Sequence, residues 1–241
     1  MRELPLLLSV PHSGLWIPHE VDDLCSLSQE EIQADADAAA VEIFHPLQAR
    51  VVGFVSTPIS RTIVDVDRSE GHHRRWGDAG RRTSWGVPVY HTQPSRLTLE
   101  VLLQRYHRPF HERLQSKASS VPLGVDCHTM TSVGPPLGPD AGQPRPKICV
   151  GGGGRAIPED WYQELILALQ DSFRVPVSLD DPFRGGHIVR SRPGGIPWVQ
   201  ITLASTPWAT DEEKAEALYA GLRVFCERVL DRSPRPLAVA G

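Results

Sequence analysis

Short apolar runs along the chain are separated by longer stretches that favour helix. The apolar runs predict seven strands, at residues 5–10, 51–56, 62–66, 88–91, 122–127, 147–150 and 197–203. The stretches between them predict four long helices, at residues 28–48, 96–118, 158–172 and 210–231. Strands that alternate with helices are typical of an α/β fold with a mainly parallel central sheet and helices on both faces.

Local signals support the starts of these helices. Ser28 with Glu31, and Thr210 with Glu213, match the capping box, in which side chains and backbone amides satisfy each other at a helix N-terminus. Pro158 suits the first turn of the third helix. No repeat or low-complexity tract occurs in the 241 residues, which are enough for one large domain or two small ones.

Two polar segments lie between these elements. Residues 68–86 are basic and glycine-rich, and residues 131–146 are rich in proline and glycine. Because neither can bury much apolar surface, we expect both at the protein surface, either as substrate-binding loops or lids, or simply as mobile loops.

Composition restricts the class of protein. The formal net charge is -4, with 40% hydrophobic and 22% charged residues, which favours a globular protein and gives nucleic-acid binding little support. The four cysteines form no CxxC pair, so we expect free thiols in a reducing compartment. We find no signal peptide and no membrane-spanning stretch, and therefore expect a cytoplasmic protein without membrane contact.

Two histidines follow predicted strands in matching positions. His12 lies in "LLLSVPHSG" and His128 in "GVDCHTM", and parallel strands would bring both to one edge of the sheet. Two imidazoles and one carboxylate form a zinc site with an open fourth position. Asp35 or Asp37, in "QADADAAAVEIF", could supply the carboxylate. The alternative is that both histidines are hydrogen-bonded structural residues.

Charged residues also cluster in "SRTIVDVDRS", where Arg61, Asp65, Asp67 and Arg68 are close in sequence. They could form an ion-pair network, or the arginines could bind an anion in a forked geometry. The glycine run at 151–154 could hold an anion through backbone amides, but it lacks the Lys-Ser/Thr of a nucleotide-binding P-loop.

Taken together, "VPHSG", "SRTIVDVDR", "YHRPFHERL", "DCHTM", "PFRGGHIVR" and "VQITL" occur in the order seen in N-formylglutamate amidohydrolases. The chain resembles this family from residue 6 to about residue 230. The resemblance implies a single domain over residues 1–241, with a three-layer α/β/α, phosphorylase/hydrolase-like fold and a mixed, mainly parallel sheet. It also implies a Zn²⁺-dependent hydrolase that removes an acyl group from the nitrogen of a small carboxylate-bearing amide.

The resemblance assigns roles to individual residues. His12 and His128 correspond to metal ligands, and the acidic ligand corresponds most closely to Asp37 and next to Asp35. Arg61 resembles the arginine that stabilises the oxyanion, and Arg68 the arginine that holds the substrate carboxylate. The same pocket is expected to be lined by Arg184, Gly185 and Gly186.

Two positions depart from the family pattern. The family usually has asparagine where this chain has Asp67, and an ionised carboxylate repels a substrate carboxylate. The family's general base is a glutamate where this chain has Thr202, whose hydroxyl cannot accept a proton from water as a carboxylate does. The sequence thus leaves two hypotheses: an amidohydrolase with an altered substrate and another base, such as Asp126 or a loop acid, or a catalytically inactive metal- and anion-binding or scaffold protein.

Overall fold

A six-stranded sheet forms the centre of the protein in the computed structural model, which describes residues 3–152 and 156–230. The strands are β1 (Leu4–Val10), β2 (Val51–Ser56), β3 (Leu123–Met130), β4 (Ile148–Gly151), β5 (Ser178–Leu179) and β6 (Trp198–Ala204). Their order in the sheet is β2-β1-β3-β6-β4-β5. Only the β4–β6 pairing is antiparallel, so the sheet is mixed and mainly parallel as predicted.

Helices cover both faces of this sheet. They are α1 (Gln29–Asp35), α2 (Ala40–Phe44), α3 (Glu70–Ala79), α4 (Arg96–Leu102), α5 (Arg108–Ala118), α6 (Glu159–Phe173), α7 (His187–Ser191) and α8 (Asp211–Phe225). Apolar residues of α2, α6 and α8 pack in one buried cluster, and those of α4, α5 and α7 in another. The first cluster contains Leu6 and Leu8 of β1 and the second contains Leu7, so side chains from the two faces of the sheet pack against different helices, which confirms a three-layer α/β/α arrangement.

The predicted capping boxes are present at the N-termini of α1 and α8. Pro158 is the N-cap of α6 and lies just before its first turn. The predicted helix 96–118 contains a π-helical turn, Leu103–His107, between α4 and α5, and a second π turn, Cys226–Leu230, extends α8. Residue 231 of the predicted last helix lies outside the described residues.

The predicted helix 28–48 is divided, and this division matters for the site. α1 ends at Asp35, and Ala36 is extended, with ψ of 165°. Ala39 is left-handed, with φ of 60°, before α2 begins at Ala40. The break turns Asp37 away from a helix surface, and its backbone amide donates to the carbonyl of His12 over 3.2 Å. Asp37 therefore belongs to a buried turn, contrary to the predicted continuous helix.

Two predicted strands are wrong and one strand was missed. Residues 62–66 are buried but form turns and irregular backbone, which pair with none of the described strands. Residues 88–91 make only isolated bridges, Arg82 with Pro88 and Cys25 with Tyr90. The two-residue strand β5 is too short to give an apolar signal in the sequence.

The prediction of a surface loop at residues 68–86 is also wrong. The segment contains α3 and buries the side chains of His73, Arg81 and Thr83. These side chains can be buried because His73 and Arg81 hydrogen-bond to backbone carbonyls and Thr83 Oγ1 accepts a hydrogen bond from the amide of Val87. Segment 131–146 is mostly exposed, as expected.

Gly153 and Gly154 of the glycine run lie outside the described residues. Among the described helices, none has the length and hydropathy needed to cross a bilayer.

Gly124 provides a test of the packing between β3 and β6. It is the register partner of Trp198, and a Cβ atom at this position would overlap the buried indole ring. We expect Gly124→Ala to lower the free energy of unfolding by about 1–3 kcal/mol, because the ring must move within a packed core. Denaturant unfolding monitored by circular dichroism measures the change.

Gly71→Ala is the matched control, since a Cβ atom at Gly71 in α3 would meet no neighbour within 4 Å. Its stability should stay the same or rise by up to about 1 kcal/mol. Equal stability of the two variants would contradict the described packing of Trp198.

Candidate metal centre

Three residues predicted as metal ligands converge at the carboxyl ends of β1 and β3. His12 follows β1 by two residues, and His128 lies near the end of the neighbouring strand β3. Asp37 reaches the same point from the break between α1 and α2. All three are buried, and one possible ligand atom from each lies within 4.8 Å of the others.

The spacing of these atoms suits a tetrahedral metal ion. Asp37 Oδ2 is 3.0 Å from His128 Nδ1, and Asp37 Oδ1 is 3.5 Å from His12 Nδ1. Zinc bonds of about 2.0–2.1 Å separate neighbouring ligand atoms by about 3.3 Å in a tetrahedron. His12 Nδ1 is buried and makes no hydrogen bond within the described part of the chain. A buried nitrogen without a partner is unfavourable unless something binds it, so this donor set fits zinc.

The opposite nitrogen of each imidazole is held by a second carboxylate. His12 Nε2 is 2.8 Å from Asp65 Oδ1, and His128 Nε2 is 3.0 Å from Asp126 Oδ2. A carboxylate that accepts the Nε2–H proton fixes the tautomer of the ring, leaves the Nδ1 lone pair free for a metal, and makes the ring more basic. Both histidines are thus oriented to bind a metal through Nδ1.

Buried charges shift the pKa values at this centre. Burial and Arg61 oppose a charge on His12, but Asp65 and Asp37 outweigh them and raise its pKa. Burial likewise opposes a charge on His128, yet Asp126 and Asp37 raise its pKa well above the ordinary value. Burial also disfavours ionised Asp37, but the two imidazoles hold its pKa well below the ordinary value. A metal ion must therefore displace protons from the histidines when it binds.

Two arginines lie beside the carboxylates with part of their surface open. Arg61 is 3.3 Å from Asp37 Oδ1 and 3.4 Å from Asp65 Oδ2, and its side chain is 26% exposed. Arg68 Nε is 3.6 Å from Asp65 Oδ2, and its side chain is 46% exposed. The carboxylates hold each guanidinium in place while leaving N–H groups that can contact an anion.

Asp67 is more enclosed than expected for a residue that faces substrate. Its Oδ1 accepts a hydrogen bond from the amide of Ile188 over 2.8 Å, and its carboxylate packs directly against Gly186. Burial and the neighbouring Asp126 raise the pKa of Asp67 to about 6. Asp67, Asp126 and His128 form a second acidic group with possible ligand atoms within 4.8 Å of one another.

Thr202 lies beside His128, as its register partner on β6. Its side chain is buried, and its Oγ1 accepts a hydrogen bond from Gln200 Nε2 over 2.9 Å. Thr202 therefore lies next to the metal centre, but its hydroxyl is already hydrogen-bonded to a residue of the same strand.

Arg184 is exposed, and it is followed by Gly185, with φ of 94°, in the loop that packs on Asp67 through Gly186.

The side chain of Asp35 does not face the metal centre. Its Oδ1 accepts hydrogen bonds from the backbone amide of Ser84, at 2.7 Å, and from the Ser84 hydroxyl, at 2.5 Å.

The sequence prediction missed two carboxylates that hydrogen-bond to the histidines, Asp126 beside His128 and Asp65 beside His12. Asp126 precedes His128 by two residues on one strand and so shares its face, a signal that could have identified it. Asp65 carries no such signal, because it reaches His12 from a segment 53 residues away.

Comparison with known proteins gives the same picture of the fold. A family model described as N-formylglutamate amidohydrolase matches residues 4–206. The chain is similar to the crystal structure of an N-formylglutamate amidohydrolase from Ralstonia eutropha JMP134, with a TM-score of 0.69 and 14% identity over 95% of this chain and 93% of that one. A gene product from Agrobacterium tumefaciens is similar with a TM-score of 0.69 and 18% identity, over 95% and 92% of the two chains. No curated protein sequence matches the chain.

The two candidate acids can be separated by metal analysis. We expect Asp37→Ala to lose tightly bound zinc, because Asp37 faces both imidazoles. Asp35→Ala should keep it, because Asp35 binds Ser84. Elemental analysis after dialysis against zinc measures the ratio of metal to protein. Zinc retained by Asp37→Ala and lost by Asp35→Ala would reverse the assignment.

Proposed function

This chain belongs to the N-formylglutamate amidohydrolase family, and from that premise we propose that it is a zinc-dependent amidohydrolase. The proposal is carried by one observation: His12, Asp37 and His128 converge, with His12 Nδ1 buried and without a hydrogen-bond partner. The ligands would be His12 Nδ1, His128 Nδ1 and the Asp37 carboxylate. Bound zinc supplies Lewis acidity toward a carbonyl oxygen and lowers the pKa of a water molecule to about 7.

The proposed substrate is a small N-acyl amino acid or a related amide that carries a carboxylate. Arg68 is the proposed partner of that carboxylate, because its side chain is the more exposed of the two arginines. Arg184, Gly185 and Gly186 line the same pocket in this proposal. Arg61 would donate to the oxygen that becomes negative as the amide is attacked, with Asp37 and Asp65 fixing its position.

Asp65 and Asp126 would act through the histidines. Each accepts the Nε2–H proton of its imidazole and so keeps the Nδ1 lone pair directed at the centre. Their negative charge also offsets part of the positive charge of a bound metal and of Arg61. Neither carboxylate needs to contact substrate in this role.

The proposed active site lacks the usual general base. Thr202 stands where the family pattern has a glutamate, and general-base catalysis contributes about 10²–10⁴-fold to a rate. The Asp126 carboxylate already hydrogen-bonds to His128 Nε2. The Asp67 carboxylate already accepts a hydrogen bond from the amide of Ile188 and packs against Gly186. The second candidate function is therefore a catalytically inactive family member that binds a metal and an anion, or serves as a scaffold. The buried hydrogen bond between Gln200 and Thr202 favours it.

Activity on N-formyl-L-glutamate tests the consequence of Thr202. We expect the zinc-loaded protein to release formate very slowly or not at all, because it lacks the base and because Asp67 opposes a second carboxylate nearby. The double variant Thr202→Glu with Asp67→Asn should hydrolyse the compound faster than the unmodified protein or either single variant. Formate release measured enzymatically gives the rates.

Zinc content of each protein, measured in the same samples, separates a missing base from a missing metal. Turnover by the unmodified protein at an ordinary enzymatic rate, about 1–10³ per second, would show that another residue is the base. A protein that binds no zinc would exclude the zinc-dependent function itself.

Binding of an N-acyl amino acid tests the role of Arg68. Loss of a charged hydrogen bond costs about 1.5–3 kcal/mol, or roughly ten- to hundredfold in affinity. We expect Arg68→Ala to weaken binding of N-formyl-L-glutamate to the zinc-loaded protein by that factor, measured by calorimetry. Arg223→Ala is the matched control, because Arg223 is 48% exposed but lies on α8 and pairs with Glu227. Equal affinities of the two variants would argue against a carboxylate-binding role for Arg68.

A further inference from the structure

The segment Arg61–Arg68 lies outside the sheet, and its interior is buried. Residues 62–67 are all buried, yet no strand pairs with them. A buried backbone carbonyl without a partner costs free energy, so these carbonyls need donors from elsewhere. The structure supplies most of them as side chains.

Four side chains, which we call the carbonyl frame, bind the carbonyls of this segment. Arg81 donates to the carbonyl of Arg61 over 2.6 Å and to that of Ile63 over 2.5 Å. Three histidines donate through Nε2: His73 to Asp65 over 2.8 Å, His111 to Val66 over 2.9 Å, and His107 to Arg68 over 2.7 Å. The amide of His187 donates to the carbonyl of Asp67 over 3.2 Å.

Helix geometry brings two of these histidines together. His107 ends the π-helical turn before α5, and His111 lies four residues later on the same helical face. Their ring centroids are 4.5 Å apart. A π turn inserts one residue into a helix and so redirects the side chains around it, and such turns often occur at functional sites. Here the turn presents both rings to the segment Arg61–Arg68.

The same segment supplies the side chains that surround the metal centre. Asp65 contacts His12 at 2.8 Å, and Arg61 and Arg68 contact Asp65. The amide of Asp67 also donates to Asp65 Oδ1 over 3.0 Å, which helps to orient that carboxylate. A shift of the carbonyls on either side of Asp65 would therefore move the group that orients His12.

We propose that His107 and His111 are positioning residues for the metal centre, which hold the backbone at Arg68 and Val66 so that Asp65 stays directed at His12. Both rings act as neutral Nε2–H donors. Burial lowers the pKa of His107, and burial together with His107 lowers the pKa of His111 to about 4, so the neutral form prevails at pH 7. The part of this proposal that concerns zinc affinity rests on the proposed function.

The test compares His111→Leu, which removes the donor, with His111→Gln, which keeps an N–H group on a side chain of similar reach. Hydrogen exchange measured by mass spectrometry on the metal-free protein reports the amides of residues 63–68. We expect at least tenfold faster exchange in His111→Leu, with the Gln variant close to the unmodified protein. His107→Leu should have the same effect.

Zinc affinity, measured by competition with a chelator, is the second readout. Loss of a partner that orients a metal ligand typically costs 10–100-fold in affinity, so His111→Leu should bind zinc more weakly by about that factor and His111→Gln should recover it. His91→Leu, a change at an exposed histidine, is the control and should alter neither readout. Circular dichroism checks that each variant is folded, and His111→Asn, whose amide is too short to reach Val66, replaces the leucine variant if that does not fold.

The two proposals fail in different ways. If the unmodified protein binds no zinc, the proposed function fails, while exchange in residues 63–68 still decides the positioning role. If His111→Leu exchanges these amides at the rate of the unmodified protein, the positioning role is wrong whatever the zinc result. Where the unmodified protein does bind zinc, equal zinc affinities of the Gln and Leu variants would also overturn the positioning role.

Discussion

Four carboxylates, those of Asp37, Asp65, Asp67 and Asp126, are buried around one edge of the sheet, and their charge has to be balanced for the protein to fold. Arg61 and Arg68 supply two positive charges. His12 and His128 supply two more when both are protonated, which agrees with the raised pKa of each ring. A divalent metal that replaces these two protons leaves the total unchanged. The site thus carries the same net charge with a proton on each imidazole or with one divalent ion between them.

The groups around this centre are held by two different means. His128 and Thr202 lie on adjacent central strands, where the backbone hydrogen-bond ladder fixes their positions. Asp37, Arg61 and Asp65 lie on irregular segments, which have no ladder. Their backbone is instead held by side chains and by single hydrogen bonds, such as that from the amide of Asp37 to His12. Residues 68–86 form a strongly polar stretch that nevertheless contributes buried side chains, because these side chains supply the hydrogen-bond donors that the sheet does not supply to the irregular backbone.

In the proposed function, the two departures at Thr202 and Asp67 are related through charge. On that proposal Thr202 stands in place of a carboxylate beside His128, and Asp67 is an added carboxylate close to Asp126 and Gly186. The number of carboxylates near the centre is the same as with glutamate and asparagine at these two positions, but their location differs. Asp67 is buried close to Asp126, and this proximity raises its pKa to about 6. Catalysis depends on which atoms a carboxylate faces. The same number of carboxylates at different positions therefore need not support the same reaction.

The sequence by itself determined the α/β class, the main strands, the helix caps and the convergence of His12 and His128. Each of these follows from local patterns or from the general rule that parallel strands end at one edge of a sheet. The tertiary structure alone decided that Asp37, in a helix break, faces the histidines while Asp35 binds Ser84. It also decided that Asp65 orients His12 and that His107 and His111 hold the segment Arg61–Arg68. These contacts join residues far apart in sequence through irregular backbone, where no periodicity relates a residue's position in the sequence to the direction of its side chain.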